Sequence, residues 1–199
     1  MKFIMYLLLP ILFLGCSDSD EIEDINTELS KQEIEDLQFL KEEEKLARDV
    51  YLYSYDLYGQ KIFKNISNSE QSHMNSVTVI LNKYGIEDLS LVDRGEFSNV
   101  VLQGLYDDLT NLASKSLEDA LVVGATIEDL DIKDLDNFIL NTTHEDVESM
   151  YVILNCGSRN HMRAYSNNLE KIDVDYNPQF ISLDDYNSII NSDNEKCNN

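Results

Sequence analysis

A chain of 199 residues is long enough for one domain with a sizeable core. Seven glycines and two prolines, set among abundant Leu, Glu, Asp and Lys, favour helices over a β fold. The formal net charge of −23 argues against nucleic acid as a partner and against an electrostatic hold on anionic lipid, and leaves most acidic groups to be read as solvated surface.

Residues 1–15 form an apolar run, Ile4 to Leu14, broken only by Pro10. It is too short to span a bilayer as a mature helix but has the length of a signal-peptide core. It ends in Leu12-Phe13-Leu14-Gly15-Cys16, which resembles a bacterial lipoprotein cleavage box, with Phe13 and Leu14 departing from the usual Leu and small residue. That resemblance implies lipid on Cys16 and a chain anchored in the cell envelope, at the periplasmic or surface face of an outer membrane. An ordinary signal peptide or an uncleaved anchor is the alternative. Residues 16–30 carry Asp18, Asp20, Glu21, Glu23 and Asp24 with few apolar side chains, and read as an acidic flexible tether.

Residues 31–190 read as one helical domain. Ser30 with Glu33 forms a capping box opening a helix that runs to Tyr58 and is closed by Gly59. Its inward stripe is Leu37, Leu40, Glu44, Ala47, Tyr51 and Ser54, so Glu44 stands where a hydrophobe is expected; Glu42 and Glu43 point elsewhere. A second helix, capped at Asn68 or Ser69 and ended by Gly85, places Glu70 and His73 on the stripe of Val77, Ile80, Leu81 and Tyr84. After a connection over Gly85 to Ser98, a shorter helix from about Asn99 to Ser114 reads as a crossover to the far end of the domain. The third long helix runs from Ser116 to about Leu140, with the stripe Leu117, Leu121, Gly124, Glu128, Asp131, Leu135 and Phe138; Gly124 and Ala125 allow a neighbouring helix to approach closely. The fourth starts after Thr143, continues to about Ile172, and carries Val147, Met150, Leu154, Ser158, His161 and Tyr165 inward. His144, in its first turn, is expected to be exposed and without a role. A short amphipathic helix over Ser182 to Ile190 follows, and 191–199 reads as a disordered tail. Cys156 and Cys197 have no metal-site spacing; Cys156 reads as a buried small residue and Cys197 as a tail thiol, with a disulfide between them left open.

Each polar residue on these stripes has a structural explanation by itself: a solvated charge run for Glu44, an arginine partner for Asp131, a satisfied core histidine for His161. Their joint occurrence has none. Glu44, Glu70, His73, Glu128 and His161 come from all four long helices and fall in seam positions of one layer. Buried carboxylates gathered there repel one another, and one or two cations would neutralise them. Oxygen and imidazole donors without thiolate suit iron, manganese or zinc, and less specifically copper.

Glu44-Lys-Leu-Ala-Arg-Asp-Val-Tyr51 resembles the first-helix ligand segment of rubrerythrins. With Ser69-Glu70-Gln71-Ser72-His73-Met74, the segment Val123 to Ile132 and the segment Gly157 to Tyr165, the stretch from about residue 33 to 190 is similar to an uncharacterised bacterial and archaeal family of ferritin-like proteins carrying a domain of unknown function. The resemblance implies an all-α, ferritin-like four-helix bundle with a long crossover holding a short helix, plus a short C-terminal helix. It implies a metal set of Glu44, Glu70, His73, Glu128, Asp131 and His161, with Glu70 bridging, Glu44 and His73 on one ion, and Glu128 and His161 on the other. Ferritins and rubrerythrins carry Glu-x-x-His on the fourth helix; here it is Ser158-Arg159-Asn160-His161, so a carboxylate is missing, and either Asp131 compensates or the site is mononuclear or asymmetric. Arg48, Asp49, Arg159 and Arg163 are candidates for orienting the carboxylates, and Tyr51 is a candidate redox or hydrogen-bonding group. The reading is a lipid-anchored protein binding iron, in a di-iron or mononuclear centre, with oxygen- or peroxide-dependent activity; a metal-buffering lipoprotein and a metal-free interaction module are the alternatives. The partners expected are metal ions and a membrane through the N-terminal lipid, with a homodimer left open.

Overall fold

The structure is a computed structural model that describes residues 28–197. The signal peptide over 1–15, the lipidation site Cys16 and most of the tether lie outside the described residues. The described residues contain six helices and no strand: α1 (Lys31–Tyr58), α2 (Lys61–Tyr84), α3 (Val100–Ala113), α4 (Leu117–Asn141), α5 (Glu145–Glu170) and α6 (Leu183–Ile190). None of these helices is long and apolar enough to cross a membrane.

Local chemistry sets the helix ends. Ser30 Oγ accepts from the Glu33 N–H, and the Glu33 carboxylate accepts from the Ser30 N–H, closing the capping box of α1. Gly59 and Gly85 end α1 and α2 with φ of 63° and 65°, a conformation that costs a side chain about 1 kcal/mol. Asn99, Ser116 and Ser182 cap α3, α4 and α6 with side-chain acceptors. One boundary differs from the sequence reading: α2 begins at Lys61, so Asn68 and Ser69 lie within it rather than capping it. Phe63 and Ile66 extend the Glu70 stripe backwards by two turns and are buried, and that burial carries the helix through the polar stretch.

The four long helices pack pairwise. α1 lies along α2 and α4 along α5, while contacts of α1 with α4 and of α2 with α5 enclose a common interior. Two apolar clusters fill it. One contains Leu46, Tyr51, Phe63, Leu121, Met162 and Tyr165; the other contains Leu37, Leu40, Val77, Leu135, Val147 and Leu154. Each fully buried side chain of this size contributes about 1.5–3 kcal/mol. Along α1, Glu44 falls between Leu40 and Leu46; along α2, Glu70 and His73 fall between Ile66 and Val77; along α5, Ser158 and His161 fall between Leu154 and Met162. The polar layer therefore lies between two hydrophobic masses.

α1 is covered on three sides, because α3 and the connection before it close over the face that α2 and α4 leave open. Consequently Glu42, Glu43 and Lys45 are buried rather than part of a solvated charge run. Glu42 accepts from the N–H groups of Ser98 and Asn99 at 2.8 and 3.1 Å. Lys45 donates to Asp49 and to the carbonyls of Asp93 and Glu96, with its ammonium 4.3 Å from the Phe97 ring centroid. His144 is also not free on the surface: it pairs with Glu33 at 2.8 Å and meets the Tyr84 ring edge-on.

The C-terminal segment is fastened at two places. Asp129, fully buried, accepts from Tyr176 Oη and from the N–H groups of Gln179, Phe180 and Ile181. Further on, Cys197 forms a disulfide with Cys156, and Glu195 pairs with Arg159 and Arg163. In residues 191–197, which the sequence reads as part of a disordered tail, a covalent bond and two guanidinium groups act in place of apolar side chains.

Candidate metal centre

Four helices deliver five side chains to the layer between the two apolar clusters. One donor atom each from Glu44, Glu70 and His73 lie within 4.8 Å of one another, and so do donor atoms from Glu70, Glu128 and His161. Glu70 belongs to both sets. His73 Nδ1 is 3.1 Å from Glu44 Oε2 and 2.8 Å from Glu70 Oε2. On the other side, His161 Nδ1 is 2.9 Å from Glu70 Oε1 and 3.4 Å from Glu128 Oε2. The two rings lie nearly parallel, with centroids 5.5 Å apart. The three carboxylates are each 1% exposed and the two imidazoles 8%.

Surrounding groups fix these side chains. Ser69 Oγ lies 2.9 Å from His161 Nε2, which turns Nδ1 toward the carboxylates. Tyr51 Oη donates to Glu128 Oε1 at 2.5 Å. Gly157 leaves the space that the His73 ring fills, since a Cβ there would lie 2.6 Å from Nε2. Gly124 does the same for the Tyr165 ring, the close helix approach that Gly124 implies in the sequence.

Burial and charge act in opposition here. Burial pushes the Glu44 carboxyl up to about 7 against the pull of His73. Burial also raises Glu70, but the imidazoles of His161 and His73 on either side outweigh it and hold that carboxyl far below its usual range. Burial raises Glu128, with His161 opposing. Burial draws the His161 imidazole down, yet Glu70 and Glu128 lift it to about 10, and Glu44 and Glu70 raise His73 well above its ordinary value in the same way. Without a metal, two imidazolium groups balance the carboxylates.

That balance is geometrically incomplete. Glu44 Oε1, Glu70 Oε1 and His161 Nδ1 are buried without a hydrogen-bond partner. Glu70 Oε1 and His161 Nδ1 are only 2.9 Å apart, yet they are not aligned as donor and acceptor. Close donor atoms that do not point at each other suit a shared cation, and such orphaned buried atoms are costly otherwise. Three carboxylates and two neutral imidazoles fit one or two divalent ions of the iron, manganese or zinc type.

The remaining predicted residues take other places. Asp131 accepts from Ser158 Oγ, the residue that stands where a fourth-helix carboxylate was expected; its Oδ1 is buried without a hydrogen-bond partner, and it joins neither set. Burial and the carboxylates of Glu44 and Glu43 push its carboxyl well up. The expected arginine contacts to the ligand carboxylates are not made. Arg48 bonds Asp49 and Gln71, Arg159 bonds Glu195 and Asn155, and Arg163 bonds Glu195, Asn160 and the Ile189 carbonyl. Asp49 is committed to Lys45, Arg48 and Gly95 N–H. Sequence reasoning did not anticipate Ser69 or Gly157. Ser69 sits one position before Glu70, and Gly157 is a mid-helix glycine among ligand positions, a signal of close approach that could have been used.

Residues 33–193 match an uncharacterized protein domain, DUF2202. The chain belongs to this family. The chain is 48% identical over 169 residues to the uncharacterized protein MJ0754 of Methanocaldococcus jannaschii, covering 84% of this chain and 91% of that protein. The crystal structure of hypothetical protein MJ0754 from Methanococcus jannaschii superimposes with a TM-score of 0.83 over 84% of this chain and 96% of that one. MJ0754 is itself uncharacterized, and the geometry of the site is what bears on the function of this DUF2202 chain.

Proposed function

We propose that this DUF2202 protein is a ferritin-like metal protein whose core holds iron or a similar metal through Glu and His side chains. The observation that carries the reading is the sharing of Glu70 between two buried Glu-Glu-His sets with unsatisfied donor atoms. Pairwise packing of four long helices, with the long connection through α3 placed between the second and third, supports the ferritin-like architecture. Glu44 and His73 would hold one ion and Glu128 and His161 another, with Glu70 common to both sets. Bound iron would supply oxygen or peroxide redox chemistry. Around it, Tyr51 donates a hydrogen bond that fixes Glu128 Oε1, Ser69 fixes the His161 ring, and the two apolar clusters flank the layer. Lipid on Cys16 places the protein at a bacterial envelope membrane.

A non-enzymatic metal-buffering role is favoured by Ser158, which leaves α5 with a histidine but no carboxylate in the layer. A metal-free network is favoured by the Glu–His contacts of 2.8–3.1 Å; the orphaned donor atoms count against it.

Elemental analysis of the purified protein, followed by calorimetric titration with iron or manganese, tests the reading. One to two metal equivalents per chain are expected, lost in Glu70→Ala and reduced in His161→Ala. Oxygen or peroxide consumption by the loaded protein then separates an enzyme from a buffer. A wild-type protein that takes up no metal and whose thermal midpoint ignores added metal leaves only the buried network.

A further inference from the structure

A cleft of about 420 Å³ runs along the outer edge of the two histidines. Ser69, His73 and His161 line its helix side, and Glu195, Lys196 and Cys197 line the other. The second wall is a strap, residues 192–197, without regular secondary structure. It is fastened to the stretch of α5 that carries Gly157 and His161. Cys197 is disulfide-bonded to Cys156. Glu195 accepts from Arg159 and Arg163, and its backbone N–H and C=O bond the Asn160 side chain. Ser192 Oγ accepts from Arg163 at 2.9 Å. The ion pairs are partly solvated, with Glu195 33% exposed, and such pairs hold a segment weakly. The covalent link is the one tie that solvent cannot compete away, and it closes a loop with a sequence separation of 41 residues.

We infer that this strap is a redox-latched cover over the mouth of the candidate centre. With the disulfide formed, Glu195, Lys196 and Cys197 wall the approach to His73 and His161. A dithiol reductant of the thioredoxin type opens it. The Cys156–Cys197 S–S bond breaks, the dithiol supplies two electrons and two protons, and the products are two cysteine thiols and the oxidised reductant. The strap is then held only by its part-buried polar contacts, and the imidazole edges become accessible to an entering or leaving cation. Regulation of metal exchange rests on the metal reading above; opening of the cleft does not.

The experiment uses the full chain in oxidised and reduced forms, with cleavage of the disulfide verified by thiol alkylation and mass. Deuterium exchange over 192–197 and the rate of Mn²⁺ uptake, followed by the loss of the free-ion paramagnetic resonance signal, are measured on both. Manganese is the probe because it prefers oxygen and nitrogen donors to thiolate. Reduction is expected to speed both strap exchange and uptake at least tenfold, with exchange in the α1 and α2 cores unchanged. The Cys156→Ser/Cys197→Ser protein takes up Mn²⁺ at the fast rate with or without reductant. Should that variant fold poorly, Glu195→Gln keeps the latch and removes its ionic tie: slow when oxidised, faster than wild type when reduced. Equal rates before and after verified reduction, or a strap that exchanges rapidly in the oxidised protein, overturn the inference. If neither form binds Mn²⁺ at equilibrium, the metal reading fails, and strap exchange alone decides the latch.

Discussion

Gly157→Ala separates the geometry of the centre from the stability of the fold. A Cβ at this position lies 2.6 Å from His73 Nε2 and 2.7 Å from Cε1. Ordinary carbon contacts sit near 3.5–4 Å, so the ring must retreat by about 1 Å. It has somewhere to go, because His73 borders the open cleft rather than the packed core. The overpacking cost therefore falls at the low end of about 1–3 kcal/mol, and replacing a mid-helix glycine offsets about 1 kcal/mol of it. Ligand distances tolerate only about 0.2 Å. A retreat of that size takes His73 Nδ1 out of reach of a metal held by Glu44 and Glu70, now 3.1 and 2.8 Å away. We expect a thermal midpoint within a few degrees of wild type and at least a tenfold loss of affinity for one metal equivalent, read by calorimetric titration. Gly124→Ala is the contrast: its Cβ collides with the fully buried Tyr165 ring, which has no cleft to enter, so stability falls by about 1–3 kcal/mol. Wild-type metal affinity at both positions in a folded Gly157→Ala protein refutes the assignment of His73.

Metal loading should release protons. Flanking carboxylates raise His161 to about 10 and lift His73 well above its ordinary value, which favours imidazolium in the metal-free protein at neutral pH, and both must be neutral to act as ligands. Titration calorimetry in buffers of different ionisation enthalpy should show at least about two protons released per filled centre, the histidines supplying two and Glu44, raised to about 7, a further fraction, with affinity rising with pH; no release contradicts the ion-paired resting state. The same shifts stabilise the metal-free fold fully below the unfolded histidine value of about 6.5 and are lost as pH rises through about 10, so its midpoint should decline over that window while the loaded protein's does not. Glu42→Ala should cost about 1–3 kcal/mol in denaturant unfolding, because it orphans the N–H groups of Ser98 and Asn99 ahead of α3; a surface glutamate would cost under about 0.5. Hydrogen bonds from Arg159, outweighing burial and joined by those from Arg163, hold the Glu195 carboxyl at about 2. Its contribution to strap docking is present above the ordinary carboxylate value and is lost as pH falls through about 2. A carbon-detected titration of Glu195 with a midpoint near 4.5 would rule out the clamp.

Much of the fold was legible because its determinants are local. Ser30 with Glu33, Gly59, Gly85, Asn99, Ser116 and Ser182 act on their own turns, and the apolar repeat marks each buried face. The start of α2 is harder to read, because the polar residues on either side of Ile66, from Lys64 to Ser69, mask the apolar repeat that Phe63 and Ile66 carry. Glu44, Glu70, His73, Glu128 and His161 could be chosen because a charge on an apolar stripe violates the pattern, and the violation is visible one helix at a time.

The sequence alone determined the helices, their ends, and the rows of side chains that face inward, since each depends on neighbours within a few residues. Only the tertiary structure decided which inward groups meet. It set Asp131 on Ser158 outside both Glu-Glu-His sets, committed Arg48, Arg159 and Arg163 elsewhere, and buried Glu42 and Lys45 beneath the connection before α3. It also joined Cys156 to Cys197. The physical reason is that periodicity gives a side chain's direction from its own helix axis, whereas distance to another helix's side chain depends on how the axes pack and on what the intervening segments cover.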